Sequence, residues 1–261
     1  MAEFTTPVTG RFCWVDLQTT DPGAARDFYA TVFGWSINDV PGSMPYAVAS
    51  IGANKMTGGI MELPAMARAL GAPPNWLSYI AVDDVKVSAE KAASLGAATL
   101  VAPMAAGPSM FAVLQDPSGG VFAIWHSPVP MGTMLYGEEG AFGWNELMST
   151  NVDAARTFYT GLFGWTSETI PMIGTQYTIF KNNGAAVSGL MDMPQGADGM
   201  LSYWAVYFVV EDPDATVELA VANGAKVVYP LMDVPDVGRF GYLADPQGAL
   251  FAVIRMEGEA G

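Results

Sequence analysis

Apolar and polar residues alternate from Phe12 and again from Phe142, which is the period of a half-buried strand. Beyond each run the period lengthens to that of a helix. Ala25, Phe28, Tyr29, Val32 and Phe33 fall on one helical face, as do Ala155, Phe158, Tyr159, Leu162 and Phe163. Asp21 is placed to cap the first helix, with Pro22 at its first position and Gly34 just past its end; Asn151 is placed to cap the second. Short strands are predicted at 35–40, 46–51 and 56–61. The pattern then restarts with a strand at 79–82, a helix at 85–95 ended by Gly96, and strands at 99–103, 111–114 and 121–125. Each half of the chain therefore reads as βαβββ twice, an α+β class with four such units.

The halves are copies. Residues 12–35 match residues 142–165 without a gap at 12 of 24 positions, and Asp116–Trp125 corresponds to Asp245–Ile254. Blocks in the same order at nearly constant offset mean tandem duplication. The expected organisation is a first module at 1–128, a linker rich in Pro, Gly and Met at 129–140, and a second module at 141–261. The Asp-Pro-x-Gly segments at 116–119 and 245–248 carry turn chemistry and are expected to join the last two strands of each module as a hairpin.

Composition narrows the partners. With 51% hydrophobic and 14% charged residues each module can bury a core. The net charge of −15, with only 11 Lys and Arg, repels phosphate backbones and anionic membranes, so neither nucleic acid nor membrane is expected as a partner. No apolar run is long enough to span a bilayer, the N-terminal residues lack the pattern of a signal peptide, and one cysteine makes no internal disulfide. A cytoplasmic protein that meets small molecules or other proteins is expected.

A first strand, then D-x-x-x-A-x-x-F-Y-x-x-x-F-G-W, then a D-P-x-G hairpin, twice over, resembles the glyoxalase/bleomycin-resistance/dioxygenase (vicinal oxygen chelate) superfamily. The resemblance implies two βαβββ units per module forming a curved mixed sheet around a cup. It also implies a divalent metal held by His, Glu or Gln on the first, fifth and last strands, chelating two neighbouring substrate oxygens. Carried over residue by residue, those positions fall on Trp14, Tyr79 and Ala123 in the first copy, and on Trp144, Tyr207 and Ala252 in the second. None is a usual ligand. The single histidine, His126, lies three residues past the ligand position and on the opposite face by strand parity. No metal or other cofactor is expected, although an all-carboxylate Mg or Mn site stays open.

Parity also says what the cups contain. If position 14 faces the cup, so do Asp16 and Gln18, while Cys13, Val15 and Leu17 face the helix. The second copy presents Trp144, Glu146 and Met148. On the last strand Val121, Ala123 and Trp125 share the cup face, as do Leu250, Ala252 and Ile254. A cup lined by Trp14, Gln18, Tyr79, Ala123 and Trp125, or by Trp144, Met148, Tyr207 and Ala252, suits a hydrophobic or aromatic small molecule. Asp16 and Glu146, set among aromatics, are candidate catalytic acid/base groups with raised pKa. A structural reading stands beside this one: the acids lie at a rim, solvated or paired with Arg11, Arg26 or Arg156, and the Trp residues are filled core. Met44, Met56, Met61, Met104 and Met110 read as fillers of irregular space. Glu62 reads as a strand-end surface residue, Gly58-Gly59 as a bulge or close backbone approach, and Cys13 as an unreactive thiol.

These residues admit a metal-free binding protein for sequestration, resistance or metabolite carriage. They also admit a metal-independent isomerase, hydratase or cyclase, a glyoxalase or dioxygenase with unrecognised ligands, or an interaction protein without small-molecule chemistry. The first two are favoured, as a monomer or homodimer, since duplication already supplies paired modules.

Overall fold

A computed structural model describes residues 2–42, 45–52, 55–130, 132–172, 174–194 and 199–257; Met44 lies outside them. The first half runs β1 (Ala2–Phe4), β2 (Phe12–Thr19), α1 (Pro22–Phe33), β3 (Ser36–Asp39), β4 (Tyr46–Ile51), β5 (Lys55–Glu62), α2 (Ala65–Ala69), β6 (Asn75–Ala81), α3 (Val85–Ser94), β7 (Ala98–Ala106), β8 (Ser109–Gln115) and β9 (Val121–His126). After β10 (Met134–Tyr136) the second half repeats the scheme with β11 (Phe142–Ser149), α4 (Val152–Phe163), β12 (Thr166–Met172), β13 (Thr175–Asn182), β14 (Ala185–Asp192), β15 (Tyr203–Val209), α5 (Pro213–Ala222), β16 (Lys226–Val234), β17 (Gly238–Ala244) and β18 (Leu250–Met256).

The capping signals operate as expected. Asp21 accepts from the Ala24 N–H and Asn151 from the Ala154 N–H, while Gly34 and Gly164 close their helices in the left-handed conformation. Each module folds into one mixed sheet. The first has the order β1-β10-β5-β2-β6-β9-β8-β7 with β4 also on β5 and β3 on β4; the second has β12-β13-β14-β11-β15-β18-β17-β16. Within each sheet the first strands of the two βαβββ units are antiparallel neighbours at the centre.

Two features depart from the sequence reading. The stretch read as a linker contains β10, which pairs antiparallel with β1 and parallel with β5. Its apolar Met134 and Leu135 are buried, so the connection extends the first sheet rather than looping free. A short helix, α2, also fills the segment between β5 and β6.

One core lies between the two sheets. It joins the inner faces of both modules to helices α1, α3, α4 and α5, and its aromatic contacts cross the modules: Phe12 meets Trp204, Phe33 meets Phe208, and Phe122 meets Tyr159. Each cup carries its own smaller cluster. The modules also exchange hydrogen bonds reciprocally. Tyr29 on α1 donates to Asp245 of the second hairpin at 3.0 Å, and Tyr159 on α4 donates to Asp116 of the first at 2.8 Å. Trp76 and Trp204 donate to these same tyrosine hydroxyls. The Asp-Pro-x-Gly turn thus serves twice, holding its own hairpin through backbone N–H groups and receiving a tyrosine from the other copy.

Candidate functional site

The central strand pair sets the geometry of each cup. Phe12 pairs with Ile80 but Trp14 pairs with Tyr79, so Cys13 is an extra residue, a β-bulge; β11 repeats the irregularity at Gly143. The bulge overturns one expectation. Cys13 was placed on the helix side by strict alternation, yet it packs in the cup cluster, where its Sγ donates to the Tyr79 carbonyl. Burial pushes its thiol up, which agrees with an unreactive cysteine. Beyond the bulge alternation resumes, with Val15 and Leu17 in the inter-module core.

Register then brings the carried-over positions together. Trp14 lies opposite Tyr79 and Tyr79 opposite Ala123; Trp144 lies opposite Tyr207 and Tyr207 opposite Ala252. Each trio is a row across three adjacent strands. The row offers a metal no imidazole, thiolate or carboxylate, and His126 turns away to bond the Val82 carbonyl. Among the described residues no group of three or more His, Cys, Asp and Glu side chains is placed to hold a metal ion. The residues present therefore do not fit the family's metal.

Two residues along the same strand from each row lies a buried acid. Asp16 is 4% exposed and Glu146 5%. Neither pairs with an arginine: Arg26 bonds Asp39 and Arg156 bonds Asp153 instead. The rim-and-arginine reading of the acids is thus corrected. In the first cup Tyr46 Oη donates to Asp16 Oδ1 at 2.7 Å, and Trp14 Nε1 reaches Oδ1 at 2.8 Å and Tyr46 Oη at 2.9 Å. In the second, Tyr207 and Tyr242 donate to Glu146 Oε1 at 2.7 and 2.8 Å and touch each other, while Trp144 Nε1 donates to Tyr177 Oη at 3.0 Å. Burial raises both carboxyls; hydrogen bonds from Tyr46, Tyr79 and Trp14, or from Tyr177, Tyr207 and Tyr242, oppose it.

Glycines make this contact sterically feasible. Gly59 lies opposite Asp16 and Gly189 opposite Glu146 on the neighbouring strands. A Cβ at Gly59 would stand 2.1 Å from both Asp16 Oδ1 and Tyr46 Oη, and one at Gly189 would stand 1.9 Å from Tyr177 Oη. The close backbone approach expected at Gly58-Gly59 is this one.

The other candidates sort clearly. Trp14, Gln18, Trp125 and Trp144 are half-buried on the cup face. Tyr79, Ala123, Met148, Tyr207 and Ala252 are buried in the cup clusters. Glu62 is a surface residue paired with Arg68. Tyr46, Tyr177 and Tyr242 were missed. The repeat held a signal for the first two, since Tyr46 faces Met61 and Tyr177 faces Met191 at corresponding places. Two shallow recesses elsewhere, of about 300 Å³ near Val32 and Leu219 and about 470 Å³ near Leu95 and Phe158, touch neither acid.

Residues 141–253 match the family model described as the Glyoxalase/Bleomycin resistance protein/Dioxygenase superfamily, and residues 14–125 match that of the Glyoxalase-like domain. A Mycobacterium bovis protein named "Putative glyoxylase CFP32" is 37% identical over 93% of each chain. The anthracycline biosynthesis protein DnrV of Streptomyces peucetius is 31% identical over 95% of this chain and 94% of its own. Among solved structures, the Mn(II)-bound glyoxalase from Novosphingobium aromaticivorans is similar, with a TM-score of 0.67 and 13% identity over 95% of this chain and 83% of that one. The duplicated modules, the sheet order and these likenesses place the chain in the glyoxalase/bleomycin-resistance/dioxygenase superfamily.

Proposed function

We propose that this protein binds a small hydrophobic or aromatic molecule against the concave faces of its sheets, without the metal its superfamily commonly employs. One observation carries the reading: the rows Trp14–Tyr79–Ala123 and Trp144–Tyr207–Ala252 occupy the ligand positions with aromatic and small residues. Half-buried Trp14, Phe111 and Trp125 wall the first cup, and Trp144, Tyr203 and Phe240 the second, supplying flat apolar surface with polar tips. A relative named for anthracycline biosynthesis supports an aromatic partner, and the net charge of −15 disfavours polyanions. Titration with a panel of phenols, quinones and fused-ring aromatics in the presence of a chelator, followed by tryptophan fluorescence and calorimetry, tests it. Saturable binding that Trp14→Leu and Trp144→Leu weaken is expected. Binding that appears only on adding a divalent metal, or no binding across the panel, overturns it.

A second reading draws on the acids. A buried carboxyl held by tyrosines has the setting of a general acid or base, so a metal-independent isomerase, hydratase or cyclase using Asp16 or Glu146 follows. Turnover of any substrate found should fall by at least about 100-fold in Asp16→Asn or Glu146→Gln, the range of a lost acid/base group, with binding retained. Unchanged turnover in both variants sinks this reading.

A further inference from the structure

The two cups share a floor and differ in what stands on it. Beyond the matched rows of Trp, Tyr and Ala, Phe111 pairs with Trp125 as Phe240 pairs with Ile254. The copies part at the next pair. Strand β7 sets Val101 opposite Val113, while β16 sets Tyr229 opposite Tyr242. Val113 in turn lies opposite Ala123, and Tyr242 opposite Ala252. Two valines in the first copy thus stand where the second has two tyrosines, whose rings meet edge-on with centroids 5.9 Å apart.

Tyr242 covers the floor of its cup. From β17 its hydroxyl reaches Glu146 Oε1 on β11 at 2.8 Å, past β18 and β15, and it packs in one cluster with the small Ala252 and Ala205 of those strands. Tyr242 is 8% exposed, whereas Val113, a smaller residue, is only half-buried. Gln18 and Trp125 are likewise half-buried where their counterparts Met148 and Ile254 are buried. Two exchanges add bulk to the first cup: Leu77 for Ala205 opposite the acid, and Trp125 for Ile254. Leu77 is buried in the floor, and the Trp125 ring stands edge-on to Tyr79 at 6.2 Å, as a wall and not a cover.

The first cup is therefore the wider one. Neighbouring strands lie about 4.8 Å apart, so its aromatic face from Trp14 on β2 to Phe111 on β8 runs about 14 Å across four strands. In the second cup the Tyr242 side chain lies across the same span and leaves room at the ends, beside Trp144 and beside Phe240. The rims differ too. Gln18 lies opposite Asn75, bringing two carboxamides that both donate and accept, where the second cup has Met148 opposite Tyr203.

We propose that the cups sort aromatic ligands by size: the first takes a flat fused-ring molecule with a carbonyl or hydroxyl group for Gln18 and Asn75, and the second takes a single ring. This rests on the binding reading above and assigns a ligand class to each cup. The side chain at the place held by Val113 in one copy and Tyr242 in the other determines the specificity, by bulk.

Calorimetry and native mass spectrometry with hydroxyanthraquinone, a fused-ring probe, and nitrophenol, a single-ring probe, test it. The parent chain should bind one hydroxyanthraquinone and two nitrophenol molecules. Val113→Tyr gives the first cup the ring that the second already holds, and should weaken hydroxyanthraquinone by at least about tenfold, the scale of overpacking. Tyr242→Val should open the second cup, so that a second hydroxyanthraquinone binds. Two hydroxyanthraquinones on the parent, or an affinity unchanged by Val113→Tyr, overturns the sorting while the binding reading stands. Nitrophenol binding without hydroxyanthraquinone has the same meaning. If neither probe binds, the sorting fails, and silence across the broader panel takes the binding reading with it. Where Tyr242→Val does not fold, the parent stoichiometry and Val113→Tyr still decide.

Discussion

Asp116→Ala is expected to lower the free energy of unfolding by about 3–5 kcal/mol, because it strands several buried donors, each worth about 1–3 kcal/mol when unpaired. Asp116 accepts from the Ser118 and Gly120 N–H groups of its own hairpin and from Tyr159 of the other module. Tyr159 in turn accepts from Trp204, so the loss propagates into the inter-module core. At roughly 2–4 °C per kcal/mol for a chain of this size, the melting temperature should fall by about 6–20 °C. Tyr159→Phe removes the cross-module bond and leaves the hairpin intact, so it should cost less, about 1–2 kcal/mol. By the pseudo-symmetry of the copies, Asp245→Ala and Tyr29→Phe should repeat the pattern. Thermal unfolding followed by circular dichroism decides the matter; an Asp116→Ala protein as stable as the parent would show that the exchange between modules contributes nothing.

Gly189→Ala should disrupt the second cup more than any change of a wall residue. The added methyl would stand 1.9 Å from Tyr177 Oη, far inside contact distance, while Glu146 Oε2 at 3.2 Å needs only a small adjustment. Tyr177 must leave, and with it the hydroxyl that steadies Glu146 and accepts from Trp144. Overpacking together with a lost buried hydrogen bond should cost about 2–4 kcal/mol, and ligand binding in that cup should fall below detection. The steric cause has a signature. In a Tyr177→Ala background the space is vacant, so Gly189→Ala should there be nearly neutral, giving a coupling of about 2 kcal/mol in a double-mutant cycle. Additive effects would mean that the glycine is required for some other reason. Gly59→Ala should act likewise on Tyr46, with Asp16 itself also in the way at 2.1 Å.

Much of the scaffold was legible because it follows from local periods. The α1 and α4 faces, their caps and the two strands behind each Asp-Pro-x-Gly turn depend on residues a few positions apart. The repeat supplied the rest, since two weak patterns in the same order reinforce each other. Alternation also sufficed to put Trp14 and Asp16 on one face. It failed at Cys13, because a bulge adds one residue without changing composition or period, and it says nothing about which strand lies alongside. The β10 strand was invisible for a similar reason: three residues gain strand character only by pairing with β1 and β5.

The sequence by itself thus determined that the chain is a duplicated α+β protein of this superfamily type, and that its ligand row carries Trp, Tyr and Ala in both copies. Those are facts of residue identity and spacing. Only the tertiary structure decided what the acids meet. Tyr46 reaches Asp16 across 30 residues of chain, Tyr242 reaches Glu146 across 96, and Tyr29 reaches Asp245 across 216. Such partners are chosen by strand order and by the packing of one module on the other, so no local pattern encodes them, yet they supply the hydrogen bonds that each buried carboxyl accepts.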